Sequence, residues 1–178
     1  AEQTGAGLGR IMWKDLNGDG KITEADQDWI YNPVPAISYG LNVYLEYFGF
    51  DLTLFFQGVQ GVDIISDLKK ETDLWSGLNI SNLNKGTRLL DAWSPTNTDS
   101  DIPALSIADN NNEKRVSSYW VEDGSYLKLK NIQLGYNLPE KALQKLHMER
   151  WRFFVSAQNV FTIHSRSFTG VDPENPNY

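Results

Sequence analysis

The residues best suited to chemistry lie in one short acidic stretch near the amino terminus. Residues 15–26 read Asp-Leu-Asn-Gly-Asp-Gly-Lys-Ile-Thr-Glu-Ala-Asp, with oxygen-bearing side chains at the first, third and fifth positions and glycine at the sixth. This spacing is typical of the twelve-residue, EF-hand-like calcium loop, in which oxygen atoms surround the ion and the glycine permits a sharp turn. The predicted ligands of a structural Ca2+ ion are Asp15, Asn17, Asp19, Lys21 (through its backbone carbonyl), Thr23 and Asp26.

The last position of this stretch departs from the usual pattern. Asp26 stands where most calcium loops carry a bidentate glutamate, and its shorter side chain predicts lower affinity or a tighter geometry. Flanking helices are not clearly indicated, so the pattern favours a structural ion over a calcium sensor. The alternative is an acidic, glycine-rich turn that holds no ion.

No group of residues suited to catalysis emerges, and the prediction is that the protein is not an enzyme. The chain has no cysteine, which excludes thiolate chemistry, and its two histidines, His147 and His164, lack metal-ligand spacing. The Gly-x-Ser-x-Gly pattern of many hydrolases is also absent from the sequence. Three tryptophans could stack on a sugar or peptide ligand, although packing within a loop explains them as well: Trp75, Trp93 and Trp120.

Charge and hydropathy limit which classes of protein this sequence fits. A net charge of -7 argues against a nucleic-acid partner. Aromatic residues make up 12% of the chain although its mean hydropathy is only -0.43, a combination found in transmembrane strands with aromatic belts and also in β-sandwiches. No apolar run is long enough for a spanning helix. The first residues lack the pattern of a signal peptide, which favours an internal piece of a longer protein.

Alternating apolar and polar residues predict four long antiparallel strands. A two-residue turn at Phe48-Gly49 joins the first two into a hairpin. A strand of about eleven residues rises roughly 36 Å, which a tilt of about 40° reduces to the hydrocarbon thickness of a bilayer. The predicted strands are residues 36–47, 50–58, 126–138 and 151–162.

The intervening residues 59–125 are polar and lack a long periodic run. They are predicted to form one long extracellular loop, because barrels place long loops outside the cell and short turns on the periplasmic side. The chain is accordingly divided into a lead-in and calcium-loop element at 1–31 and a partial β-barrel at 32–178.

In this order the motifs resemble the C-terminal barrel region of SusC/RagA-like TonB-linked outer-membrane transporters. The matching stretches cover nearly the whole chain: Trp13–Gly20, Asn32-Pro33, Tyr39–Asn42, Phe50–Leu52, Phe55–Gly58, Trp120–Asn131, Leu134–Tyr136, Ser156–Thr162 and Gly170–Glu174. The resemblance implies an all-β fold, as part of a 22-stranded transmembrane β-barrel in the outer membrane of a Gram-negative bacterium. It also implies uptake of glycans, peptides or similar nutrients. The implied partners are membrane lipid, a SusD-like surface lipoprotein and TonB, which would act through a plug and TonB box not found in these residues.

The alternative is a soluble, secreted, calcium-stabilised β-sandwich that binds carbohydrate. The two interpretations differ in what covers one face of the strands, because a sandwich would bury that face under a second sheet and a barrel would turn it to lipid. The diagnostic residues are Leu41, Val43, Leu52, Leu54, Leu134 and Val155. An isolated four-stranded sheet would leave two edges unpaired in lipid, so a larger closed barrel is expected around it.

Overall fold

The computed structural model describes residues 1–74 and 85–175. Its strands are β1 (Ile37–Tyr47), β2 (Phe50–Gln60), β3 (Asp63–Ile65), β4 (Val121–Asp123), β5 (Tyr126–Asn137) and β6 (Arg152–His164). The helices are α1 (Asp67–Asp73) and α2 (Glu140–Leu146), with 3-10 turns at Glu24–Asp26, Thr87–Asp91 and Ser118–Trp120. Among these residues, no helix is both long and apolar enough to cross a membrane.

The four long strands form one antiparallel sheet in the order β1-β2-β5-β6, and β3 pairs separately with β4. The four long strands start and end within two residues of the bounds expected from the sequence. Each contains 11 to 13 residues, about twice the usual length in globular proteins. The sheet is not closed, so β1 and β6 are its edges.

The hairpin between β1 and β2 turns at Phe48-Gly49, as the sequence predicts. Both residues have positive φ values, 46° for Phe48 and 83° for Gly49, which is the combination found in type I′ turns. The twist of such a turn matches the twist of the flanking strands, so Tyr47 pairs with Phe50 immediately after it.

The central segment, residues 61–125, has more structure in its described parts, 61–74 and 85–125, than the irregular loop expected from its composition. It contains the β3–β4 pair and α1, whose first turn is capped by Ser66 because the Ser66 side chain accepts a hydrogen bond from the Lys69 amide. Its apolar residues are too widely spaced to give a periodic signal. Several of them are buried nonetheless, among them Leu74, Leu89, Ile102 and Trp120.

The amino-terminal residues pack on this central segment. Glu113 is almost fully buried, and its carboxylate accepts a hydrogen bond from the Ile11 amide at 3.0 Å and pairs with Arg10 at 2.9 Å. Farther along, the ring of Trp13 lies under the guanidinium of Arg115. Residues on the two sides of the predicted boundary at residue 31 are thus in contact, and the division of the chain stays a prediction.

Candidate functional site

One face of the four-stranded sheet is apolar from edge to edge. At the end of the sheet near the Phe48-Gly49 turn, four aromatic residues occupy one continuous row across the four strands: Tyr47, Phe50, Tyr136 and Phe153. Three of these four side chains are at least half exposed, and the rings of Phe50 and Tyr136 are in contact. The next row consists of Leu45, Leu52, Leu134 and Val155.

The apolar face is tall enough to match a membrane. From Ile37 to Tyr47 it extends for ten residue steps, or about 34 Å, which a tilt of about 40° reduces to about 26 Å. The apolar band of an outer-membrane barrel is about 25 Å tall. In the described part of the chain no second sheet covers this face, and Val155 is 76% exposed. The environment expected for a β-sandwich is therefore not observed.

The opposite face of the sheet is mainly polar. One row across it consists of Tyr44, Thr53, Gln133 and Ser156, and another contains Gln57, Lys128 and Thr162. Phe55, Val59 and Phe154 are apolar exceptions on this face. The sheet thus separates an apolar environment from a polar one, which is the arrangement of a barrel wall around a hydrated interior.

The polar face carries an ion pair at its turn end. Arg152 Nε donates to Asp51 Oδ1 at 3.0 Å, and Arg152 Nη2 pairs with Asp51 Oδ2. Asn137 also donates to Asp51, at 3.3 Å. Sequence reasoning did not identify this cluster, although ionisable residues within alternating strands are the signal that could have indicated it.

The acidic stretch at 15–26 forms a closed loop. Asp15 accepts hydrogen bonds from the amides of Gly18 at 2.7 Å and Gly20 at 2.9 Å, and Gly20 has a φ of 82° at the predicted turn position. Asp26 reaches back to accept from the Thr23 amide at 2.7 Å and the Leu16 amide at 2.9 Å. These amide bonds, first that of Thr23, hold the pKa of Asp26 below its usual range.

The carboxylates of this loop are turned toward backbone amides. Asn17 Oδ1 accepts from the Asp19 amide, and Asp19 Oδ1 accepts from the Lys21 amide. Throughout residues 1–74 and 85–175, no three acidic or histidine side chains lie close enough together to hold a metal ion. Calcium binding by these residues therefore stays a prediction.

The tryptophans expected to contact a ligand lie in different environments. Trp120 is fully buried, and its Nε1 donates to the Arg115 carbonyl at 3.1 Å, so it packs within the central segment and offers no free ring face. Trp93 is half-buried, and its amide donates to the Ile102 carbonyl at 2.8 Å. Trp75 lies outside the described residues.

Comparison with known proteins gives relatives of one kind, although no family model matches the chain. The chain is 40% identical over 166 residues to TonB-dependent receptor P3 of Formosa agariphila, covering 93% of this chain and 15% of that receptor. It is 26% identical over 164 residues to TonB-dependent receptor SusC of Bacteroides thetaiotaomicron, covering 92% of this chain and 15% of SusC.

A solved structure of the RagAB peptide transporter shares the fold. The TM-score is 0.71 at 26% identity, over 86% of this chain and 16% of that one. The chain spans 15% to 17% of the length of the curated relatives it matches. Sequence and fold therefore place it, along nearly its whole length, in the family of SusC/RagA-like TonB-dependent receptors, as one segment of such a receptor.

Proposed function

We propose that this chain forms part of the wall of a TonB-dependent transporter in the outer membrane of a Gram-negative bacterium, and takes part in nutrient uptake. The observation that carries the proposal is the uncovered apolar face with an aromatic row at one end. In water, exposed apolar surface costs about 25 cal/mol for each Å². In a bilayer the same face is favourable, and the aromatic row suits the boundary between hydrocarbon and water.

The loops indicate how the sheet is oriented in the membrane. At the end of the sheet opposite the turn, the central segment contacts the residues before β1 and those after β6. The Asp63 amide donates to the Asn32 carbonyl, and the Ser165 amide donates to the Ser125 carbonyl. Because long loops of such barrels face the outside, this loop end is the extracellular one in our proposal. The Phe48-Gly49 turn and α2 then face the periplasm.

The cargo and partners follow from the relatives. RagAB is described as a peptide importer, and we propose a peptide or glycan as the cargo of the receptor that contains this chain. A SusD-like surface lipoprotein would cover the loop end, and TonB would supply energy through other parts of the receptor. We propose no catalytic role for these residues.

We further propose that residues 15–26 bind Ca2+ as a structural ion. The donor set consists of oxygens, which suit a hard cation. The backbone already turns at Gly20 as such a loop requires, and Asp26 closes the loop by bonding to Thr23 and Leu16. When bound, the ion would neutralise the acidic side chains of the loop and hold the loop in one conformation. Lys21 of this loop also forms an isolated β-bridge with Glu2.

Substitution of adjacent residues on opposite faces tests the placement in the membrane. Ala157 lies in a central row of the apolar face, and Ser156 precedes it on the polar face. Arginine at a lipid-facing midplane position costs about 2–4 kcal/mol, so Ala157→Arg should reduce the amount of full-length receptor in the outer membrane and its resistance to heat. Ser156→Arg is the matched control and should assemble normally. Equal assembly of the two variants would contradict the proposal.

A further inference from the structure

The segment after β6 folds back over the polar face at the loop end. We call this segment, Ser165–Glu174, the strap. Its first attachment is to Glu122 of β4, which is 3% exposed and accepts hydrogen bonds from the Thr169 amide at 3.0 Å and hydroxyl at 2.8 Å. Phe168 is buried beside this attachment. The proximal half of the strap is thus fixed to the central segment.

The second attachment is a cluster of charges. Lys128 of β5 is 2% exposed, and its Nζ lies 2.7 Å from Asp172 Oδ2 and 2.7 Å from Glu174 Oε2. Lys130 Nζ lies 2.6 Å from Glu174 Oε1. Lys130 reaches the same face as Lys128 because β5 has a bulge between Leu129 and Asn131, which inserts one extra residue.

The strands on either side of Lys128 place no negative charge directly opposite it. The residues paired with Lys128 on the neighbouring strands are Gln57 and Thr162, both neutral. In the described part of the chain, the ion pairs of both lysines are made only with carboxylates of the strap. Burying an ammonium group without a partner is costly, so this position on the polar face requires a carboxylate.

A glycine separates the two attachments of the strap. Gly170 lies between Thr169, the last anchored residue, and Asp172, and glycine has the greatest backbone freedom. The side chains of Asp172 and Glu174 are 41% and 28% exposed, whereas Lys128 beneath them is inaccessible. Replacing one carboxylate by another keeps the lysines paired, so such an exchange avoids an uncompensated buried charge.

We propose that Lys128 and Lys130 form a carboxylate-binding site on the polar face, which Asp172 and Glu174 of the strap fill in the absence of ligand. A carboxylate-bearing cargo, from an acidic peptide or an oligosaccharide with uronic acid groups, displaces the distal strap and takes its place. This inference rests on the proposed function, in which the polar face at the loop end lines the outer part of the transport pathway.

A single introduced cysteine can report on the strap, because the chain contains no cysteine of its own. Pro173 lies buried in the distal strap between Asp172 and Glu174. Because Pro173 is uncharged, a cysteine at this position leaves both carboxylates of the cluster in place. In the full-length receptor, Pro173→Cys should react slowly with a maleimide. Triglutamate or trigalacturonate at saturating concentration should raise the rate about tenfold, as expected when a minor open state of about 1% becomes about 10%. The two probes separate peptide from sugar as the source of the carboxylate, and triglutamine is the neutral control.

Replacing the two lysines tests whether ligand can displace the strap or whether the strap is fixed. The double substitution Lys128→Met, Lys130→Met should give fast labelling that no longer responds to the acidic probes. Lys130→Met alone, at a less buried position, should weaken the response and serves if the double variant does not assemble. Lys145→Met on exposed α2 is the matched control. A labelling rate unaffected by both acidic probes would overturn the proposal. Outer-membrane assembly of the otherwise unmodified receptor is measured separately. A receptor that does not assemble there contradicts the proposed function, whereas an assembled receptor whose labelling does not respond contradicts this site alone.

Discussion

Asp51 on β2 and Arg152 on β6 bind each other across β5, the strand that separates them. The pair passes directly over Gly135, where a Cβ atom would lie 2.5 Å from both Asp51 Oδ1 and Arg152 Nη2. A side chain at this position would require the Asp51 carboxylate or the Arg152 guanidinium to move. The bond therefore connects three neighbouring strands at the turn end of the polar face, and it depends on a glycine in the middle strand.

Gly135→Ala should weaken the sheet by separating this pair. The added methyl group forces Asp51 and Arg152 apart and leaves a charged group on the polar face with a poorer partner. We expect a lower midpoint of thermal unfolding for the full-length receptor, measured by loss of its heat-resistant band on electrophoresis. Asp51→Asn should have a similar effect. The double variant should be little worse than either single variant, because the two substitutions remove the same interaction. Fully additive losses would contradict this account.

Calcium should stabilise the wild-type receptor through residues 15–26. A ligand that binds the folded state alone stabilises it by about 2.7 kcal/mol at a concentration of about 100 times its Kd. The midpoint of thermal unfolding should rise with added CaCl2, and this rise should be lost when Asp15 and Asp19 are both replaced by asparagine. Asp28→Asn, just outside the loop, is the control and should keep the response. An unchanged response in the Asp15, Asp19 variant would refute the calcium prediction.

The strap should become less protected in acid. Hydrogen bonds from Lys128 and then Lys130 hold the pKa of Glu174 below its usual value of 4.5. A carboxyl group whose pKa is lowered by folding contributes its full stabilisation above its unfolded pKa, and this contribution disappears as the pH falls through the folded pKa. Amide hydrogen exchange in the distal strap, residues 171–174, corrected for intrinsic rates, should therefore be slow at neutral pH and accelerate below about pH 4.5.

Replacement of the carboxylate provides the control for this pH effect. Glu174→Gln should show faster exchange at neutral pH and a smaller change in acid, because one of the groups that titrate is missing. The remaining charged groups of the cluster, Asp172, Lys128 and Lys130, are unchanged in this variant. Equal pH dependence in the variant and the wild-type receptor would show that other groups govern the exchange.

The long strands could be predicted because their signal is local. Alternation of apolar and polar residues over a strand such as residues 37–47 reports directly on its two faces. The turn at Phe48-Gly49 is predictable for the same reason, since two adjacent residues determine it. The same local signal did not reveal the short elements of the central segment, where β3 and α1 are too short to show a period.

The charged clusters on the polar face could not be predicted because their partners are distant in sequence. Arg152 lies 101 positions from Asp51, and Asp172 lies 44 positions from Lys128. Their contacts depend on the pairing of β2 with β5 across the whole central segment and on a bulge that redirects Lys130. The predicted role of Trp120 in ligand stacking depended on exposure, which a sequence does not give.

Substitutions at Trp120 test whether this residue has a packing role or a ligand-binding role. Its ring is fully buried, and its Nε1 donates to the Arg115 carbonyl. Trp120→Phe retains much of the apolar volume but removes the donor, which should cost about 1–3 kcal/mol, and Trp120→Ala should cost about 3–5 kcal/mol because it also leaves a cavity. Both losses are measurable as a lower urea midpoint for the receptor in detergent. Trp93→Phe, at a half-buried position, should cost less. A ligand platform would give the reverse result for Trp120→Phe, with weaker cargo binding at unchanged stability.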